Sequence, residues 1–229
     1  MLILFLLLIS VDVQKTIDFA HYLYKTGNYK SAITEYERAI FIISQDTCSS
    51  KIDTFSLISQ IGKSYLFLGE SDIGRKYLNK VSGDTSSALI GFSMLEEGKL
   101  LAAKKEFSKI MNKAWQSKIE THYSKLLTLP HKSPLVAGLL STIVPGSGRI
   151  YSNRWGDGVF AFLFTVGSFA LAHHYYSADN HIAAIGFSGL GVLFYLGDIY
   201  GSCESAKLYN EKVFYEELDK FKLDFGYIY

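Results

Sequence analysis

Arg149, Arg154 and Asp157 stand among glycines in the stretch VPGSGRIYSNRWGDG, residues 144–158. That mixture has two chemical readings. A glycine-rich turn that opens a helix can cradle phosphate on its backbone N–H groups. A glycine-rich turn between apolar runs can instead fold a membrane segment back on itself. The phosphate reading fails on residue type. A nucleoside-triphosphate loop ends in Gly-Lys-Ser/Thr, and Arg149 follows Gly148 here. A dinucleotide fingerprint asks for a third glycine where Tyr151 stands. As a membrane bend, the stretch uses Pro145 to stop one helix and Gly146 and Gly148 to turn. Tyr151 and Trp155 then sit at the interface, and Gly156 and Gly158 let the next helix start close to its neighbour. Arg149, Arg154 and Asp157 either form an ion pair at the membrane surface or hold lipid headgroup phosphate. Asp198 is expected at the interface too.

Other candidate chemistry is thin. His173, His174 and His181 cluster with Asp179, but adjacent histidines on a helix point about 100° apart and rarely share one ion. No metal and no cofactor is expected. No nucleophile elbow, zincin helix or paired-carboxylate arrangement occurs, so the chain is not expected to be an enzyme. Cys48 and Cys203 follow no metal-ligand spacing and read as two unpaired thiols. The formal net charge of +1 gives no field that gathers nucleic acid. The hydrophobic fraction of 48% is high for a soluble protein, and the apolar runs lie in the second half.

The elements that must position these residues fall into five stretches. Residues 1–11 are apolar to Ile9, the length of a signal h-region and too short to span a bilayer; they read as a signal or an apolar arm. Residues 12–112 contain an internal repeat, aligned on Gly27, Gly69 and Gly98. Seven residues before each glycine stands Ala20, Gly62 or Gly91. Five after stands Ala32, Gly74 or Ala103. Nine after come Tyr36, Leu78 and Phe107, and twelve after come Ala39, Val81 and Ile110. Small residues let two helices of a hairpin approach, large ones fill the gaps, and the glycine ends the first helix with a left-handed turn. The spacing of 42 between the first two glycines places an extended loop near Cys48–Asp53, and the spacing of 29 shortens the second pair.

The block YLYKTGNYKSAITEYERAI resembles a tetratricopeptide repeat, and IGKSYLFLGESDIGRKYLNKV and IGFSMLEEGKLLAAKKEFSKI resemble degenerate copies. The resemblance implies a concave groove lined by His21, Tyr24, Lys25, Lys63, Leu66, Phe67, Phe92 and Leu95. Its aromatic content suits an apolar peptide or a partner helix.

Residues 113–132 carry Trp115, Ile119, His122, Tyr123, Leu126 and Leu127 on one helical face. Lysines occupy the rest. This is a cap for the repeats or an interfacial helix. Residues 133–202 read as a membrane domain. It has a short or re-entrant segment, 133–151, and a hairpin, 158–200, whose two uncharged runs are long enough to cross the hydrocarbon core. The stretch KSPLVAGLLSTIVPGSGRIYSNRWGDGVFAFLF resembles the glycine-rich two-transmembrane domain family. Residues 203–229 form an amphipathic tail that continues out of the membrane and ends in FGYIY.

The fold class expected is therefore all-α, tetratricopeptide-like hairpins followed by a small transmembrane helical domain. The function implied is a membrane-anchored scaffold that binds a protein or peptide partner, in envelope or membrane-protein assembly. The location implied is a bacterial inner membrane, with membrane lipid as a further partner and the repeats in the periplasm. The alternative is a small channel or transporter subunit, for which only Ser141, Thr142, Thr165, Ser168 and Ser188 are available to line a path.

Overall fold

A computed structural model describes residues 13–45 and 52–226. The arm 1–11, Cys48 and the last three residues lie outside the described residues. The described chain is all-α, with no strand. It divides into two compact units. One takes the described residues up to Tyr123 together with those from Lys222 onward, and the other is Ser124–Phe221.

The first unit is a series of hairpins: α1 (Val13–Lys25) with α2 (Tyr29–Gln45), α3 (Thr54–Phe67) with α4 (Ser71–Leu78), and α5 (Asp84–Glu96) with α6 (Leu100–Phe107). Successive hairpins stack through α2 on α3 and α4 on α5. Gly27, Gly69 and Gly98 adopt φ of +78°, +78° and +72°, the left-handed turn that glycine takes without strain. The small residues sit where backbones converge. A Cβ on Gly62 would meet Leu78 Cγ at 2.7 Å, and one on Gly91 would meet the Phe107 ring at 2.3 Å. Ala20, Ala32, Ala39 and Ala103 are fully buried, and Tyr36, Leu78, Phe107 and Ile110 fill the space between the helices.

The loop expected near Cys48–Asp53 lies mostly outside the described residues; within the long first spacing α2 has 17 residues, against 8 in each of α4 and α6. Specific polar contacts pin the joints. Asp53 caps α3 by accepting the Phe55 N–H. Asp84 accepts the Met111 and Asn112 N–H groups and so ties the chain beyond α6 back to the start of α5. Arg75 on α4 is buried and donates to Ser93 and Glu97 as well as to Asp72, which clamps the second hairpin to the third.

Helix α7 (Lys113–Leu127) follows. Ile119, His122, Tyr123 and Leu126 are buried as its spacing implied, but Leu127 is exposed and the helix stops there, so Lys132 is not part of it. The Tyr123 hydroxyl donates to the Leu100 carbonyl, His122 pairs with Asp224, and Trp115 meets Phe225 edge-on.

The second unit holds α8 (Pro134–Ile143), α9 (Ser147–Tyr151) and α10 (Trp155–Ser177). It also holds most of α11 (His181–Asp224), which runs through residue 202 without a break. At ten residues α8 is roughly 15 Å long, half the hydrocarbon core of a bilayer. Helices α10 and α11 are each long and apolar enough to cross one. Their surface is inverted relative to a soluble core. Phe160, Phe162, Leu163, Ile182, Ile185 and Leu193 are exposed, whereas Thr165, Ser168, Ala172, Ala184 and Gly191 are buried. A core helix of a soluble protein would be mostly buried; only 22% and 17% of these apolar windows are.

Candidate functional site

Each unit builds one constellation of its own.

The first is a cavity of about 210 Å³ in the hairpin unit. Helix α1 supplies Tyr24, and α3 supplies Lys63, Leu66 and Phe67. Helix α5 supplies Leu89, Phe92, Ser93 and Glu96, with Lys222 and Gly226 completing the wall. The positions follow from helical spacing. Lys63, Leu66 and Phe67 are i, i+3 and i+4 on one face, and Leu89, Phe92, Ser93 and Glu96 are i, i+3, i+4 and i+7 on another. The walls are aromatic. Phe67 stacks on Tyr29 at 4.9 Å and meets Tyr24 edge-on at 5.8 Å. Burial pushes the Tyr24 phenol up to about 12, with the neighbouring Tyr29 adding to the shift. Burial lowers the Lys63 ammonium from its ordinary value.

Five of the eight expected groove residues therefore meet in one cavity: Tyr24, Lys63, Leu66, Phe67 and Phe92. Three do not. His21 and Lys25 line a separate hollow with Asp18 and Tyr22, and His21 packs edge-on against Tyr36. Leu95 is fully buried and belongs to the core. The reason is that α5 is buried nearly all round, Phe92 and Leu95 included, so apolar spacing on it does not single out a groove face. Sequence reasoning missed Leu89 and Glu96, which the spacing from Phe92 could have shown. It also missed Lys222, for which 126 residues of separation from Glu96 leave no local signal.

The second constellation is the glycine-rich turn. Asp198 on α11 is its centre and is 2% exposed. Its carboxylate accepts the Gly146 N–H and, at 2.8 Å, the Arg149 Nε–H. Ser141 on α8 accepts the Gly148 N–H at 3.1 Å and shares a 2.7 Å hydrogen bond with Ser202. Arg154 pairs with Asp157 on the exposed side. One expectation changes here. Arg149 does not join Arg154 and Asp157, because its partner is Asp198. Asp198 is buried within the protein, because two donors of the turn converge on it.

The glycines divide by role. Gly146 has φ +84° and makes the turn. Gly148 is helical, and its lack of a side chain serves packing: a Cβ there would lie 2.0 Å from the Ala137 carbonyl oxygen. Gly146 and Gly158 face each other, so that a Cβ on Gly158 would meet the Gly146 oxygen at 2.6 Å. Gly156 faces open space. Pro145 is half-buried just after α8, and Trp155 is exposed. The Tyr151 hydroxyl accepts the Ser133 N–H and its carbonyl accepts Lys132 Nζ, which holds the turn against the start of α8. With Arg149 and Arg154 each engaged by a carboxylate, the turn reads as a structural clasp.

No family model matches the chain, and no curated protein or solved structure is significantly similar to it.

Proposed function

We propose that the chain is a membrane-anchored scaffold. In this reading α10 and the apolar part of α11 lie in the bilayer, and the hairpins α1–α6 offer the Tyr24–Phe92 groove to an apolar segment of a partner protein. The observation that carries it is the groove itself: an aromatic-walled cavity in the hairpin unit of a chain whose other unit exposes large apolar side chains. The left-handed glycines and the close approaches at Gly62 and Gly91 support reading the hairpins as degenerate tetratricopeptide-type repeats. The resemblances in the sequence suggest a bacterial inner membrane for such a scaffold, and a part in envelope or membrane-protein assembly.

The channel reading has less support. The Ser141 hydroxyl is taken up by Ser202 and Gly148, Thr142 donates to the Leu139 carbonyl, and Ser168 donates to the Phe164 carbonyl. These three hydroxyls serve local bonds.

The short α8 changes the argument about sides. If it re-enters, the chain crosses twice and both flanks share one face. Lysines 118, 125 and 132 precede α8, Lys207 and Lys212 follow the apolar part of α11, and residues 178–180 at the hairpin turn carry none. The excess of lysine marks the cytoplasmic face. The expectation of periplasmic repeats rested on residues 1–11, so the proposal now puts the repeats in the cytoplasm. A fluorescent protein fused after residue 112 is expected to fluoresce and alkaline phosphatase at the same point to be inactive; an active phosphatase would reverse the assignment. The groove is tested by photocross-linking from residue 67 in native membranes.

A further inference from the structure

An apolar partner accounts for the aromatic walls of the groove and leaves Lys63 unexplained. Lys63 is half-buried on α3, one turn before Phe67, and lines the cavity. Among the described residues its ammonium makes no hydrogen bond and no ion pair. The other two charged groups on the cavity, Glu96 and Lys222, pair with each other. The wall therefore carries one uncompensated positive charge.

An ammonium held in apolar surroundings without an anion is unfavourable, and the lowered pKa of Lys63 expresses that penalty. A carboxylate brought beside it offsets the penalty.

We propose that the groove selects partner segments in which an Asp or Glu side chain is embedded among apolar residues, its carboxylate pairing with Lys63. This rests on the groove being a binding site for protein segments. The occupant is an internal acidic residue; a free C-terminal carboxylate is the competing source.

The test uses the full chain in lipid nanodiscs and fluorescence anisotropy of three dye-labelled heptapeptides. The first is Ala-Leu-Phe-Glu-Leu-Phe-Ala with both ends blocked. The second has Gln in place of Glu. The third is the Gln peptide with a free C-terminus. The Glu peptide is expected to bind roughly fivefold tighter than the blocked Gln peptide at low salt. The preference should shrink at high salt, vanish in Lys63→Gln and persist in Lys63→Arg. Retained binding in Lys63→Arg, with thermal unfolding of Lys63→Gln unchanged from the parent chain, reports that the groove is still folded. Equal binding of the Glu and blocked Gln peptides, with Phe67→Ser weakening both, would overturn the inference and leave the groove reading standing. A free C-terminus that outbinds the internal Glu would overturn the choice of source. No binding of any peptide, or binding indifferent to Phe67→Ser, would overturn both readings.

Discussion

Replacing Asp198 by alanine is expected to destabilise the Ser124–Phe221 unit by about 3–5 kcal/mol. The carboxylate is buried and is shared by the Gly146 N–H and the Arg149 guanidinium. Its removal leaves a half-buried cation and a buried N–H without their acceptor. Removing one partner of a buried pair is costly because the other charge stays behind. Removing Arg149 as well should therefore recover part of the loss. The control is Arg154→Ala. That arginine pairs with Asp157 at the surface, with both side chains more than 40% exposed, so its loss should change stability by no more than about 1 kcal/mol. Denaturant unfolding in micelles, followed by the fluorescence of Trp155 in a Trp115→Phe background, measures both. Equal losses in the two variants would show that the buried clasp does not hold the turn.

The second large effect concerns the third hairpin. Phe107→Ala is expected to cost about 3–5 kcal/mol, because the ring is 3% exposed and packs edge-on against Phe92 at 5.4 Å. The informative measurement is its coupling to Gly91. A Cβ on Gly91 would meet the Phe107 ring at 2.3 Å, so Gly91→Ala alone should cost about 1–3 kcal/mol by overpacking. In the Phe107→Ala background the added methyl enters vacated space, and its penalty should fall below about 0.5 kcal/mol. Thermal unfolding of the four proteins gives the cycle. Additive losses would mean that the small residue at 91 and the large one at 107 are not a packing pair.

That pair shows what the sequence made legible. Gly91 and Phe107 stand at fixed offsets from Gly98, and so do Gly62 and Leu78 from Gly69. Packing between two helices of one hairpin is a local matter, and a small/large alternation records it. The left-handed glycines were readable for the same reason, since few other residues take that backbone conformation without strain. The groove was readable in part. Tyr24, Lys63, Leu66, Phe67 and Phe92 were found through a resemblance that fixes which face of each first helix is concave. Leu95 was misplaced because α5 is buried nearly all round, so a pattern of apolar residues there does not separate groove from core.

What was not legible depends on long-range approach. The partner of Arg149 is 49 residues away, and the partner of Glu96 is 126 residues away. Asp198 looked interfacial because it closes an uncharged run. Nothing near it in sequence records that Gly146 and Arg149 would converge on its carboxylate. The inverted surface of α10 was likewise hidden. Its run of Phe, Leu, Val and Ala is apolar nearly all round, and only the structure separates the face that packs Thr165 and Ser168 from the face that exposes Leu163.

The most direct measurement is photocross-linking in native membranes from single benzoylphenylalanine residues at 67, 41 and 163. Position 67 lines the groove, Phe41 is exposed on α2, and Leu163 is exposed on α10. The account predicts a discrete polypeptide adduct from position 67 that position 41 does not give, and lipid adducts from position 163. The same adducts from 67 and 41, or no lipid adduct from 163, would contradict it.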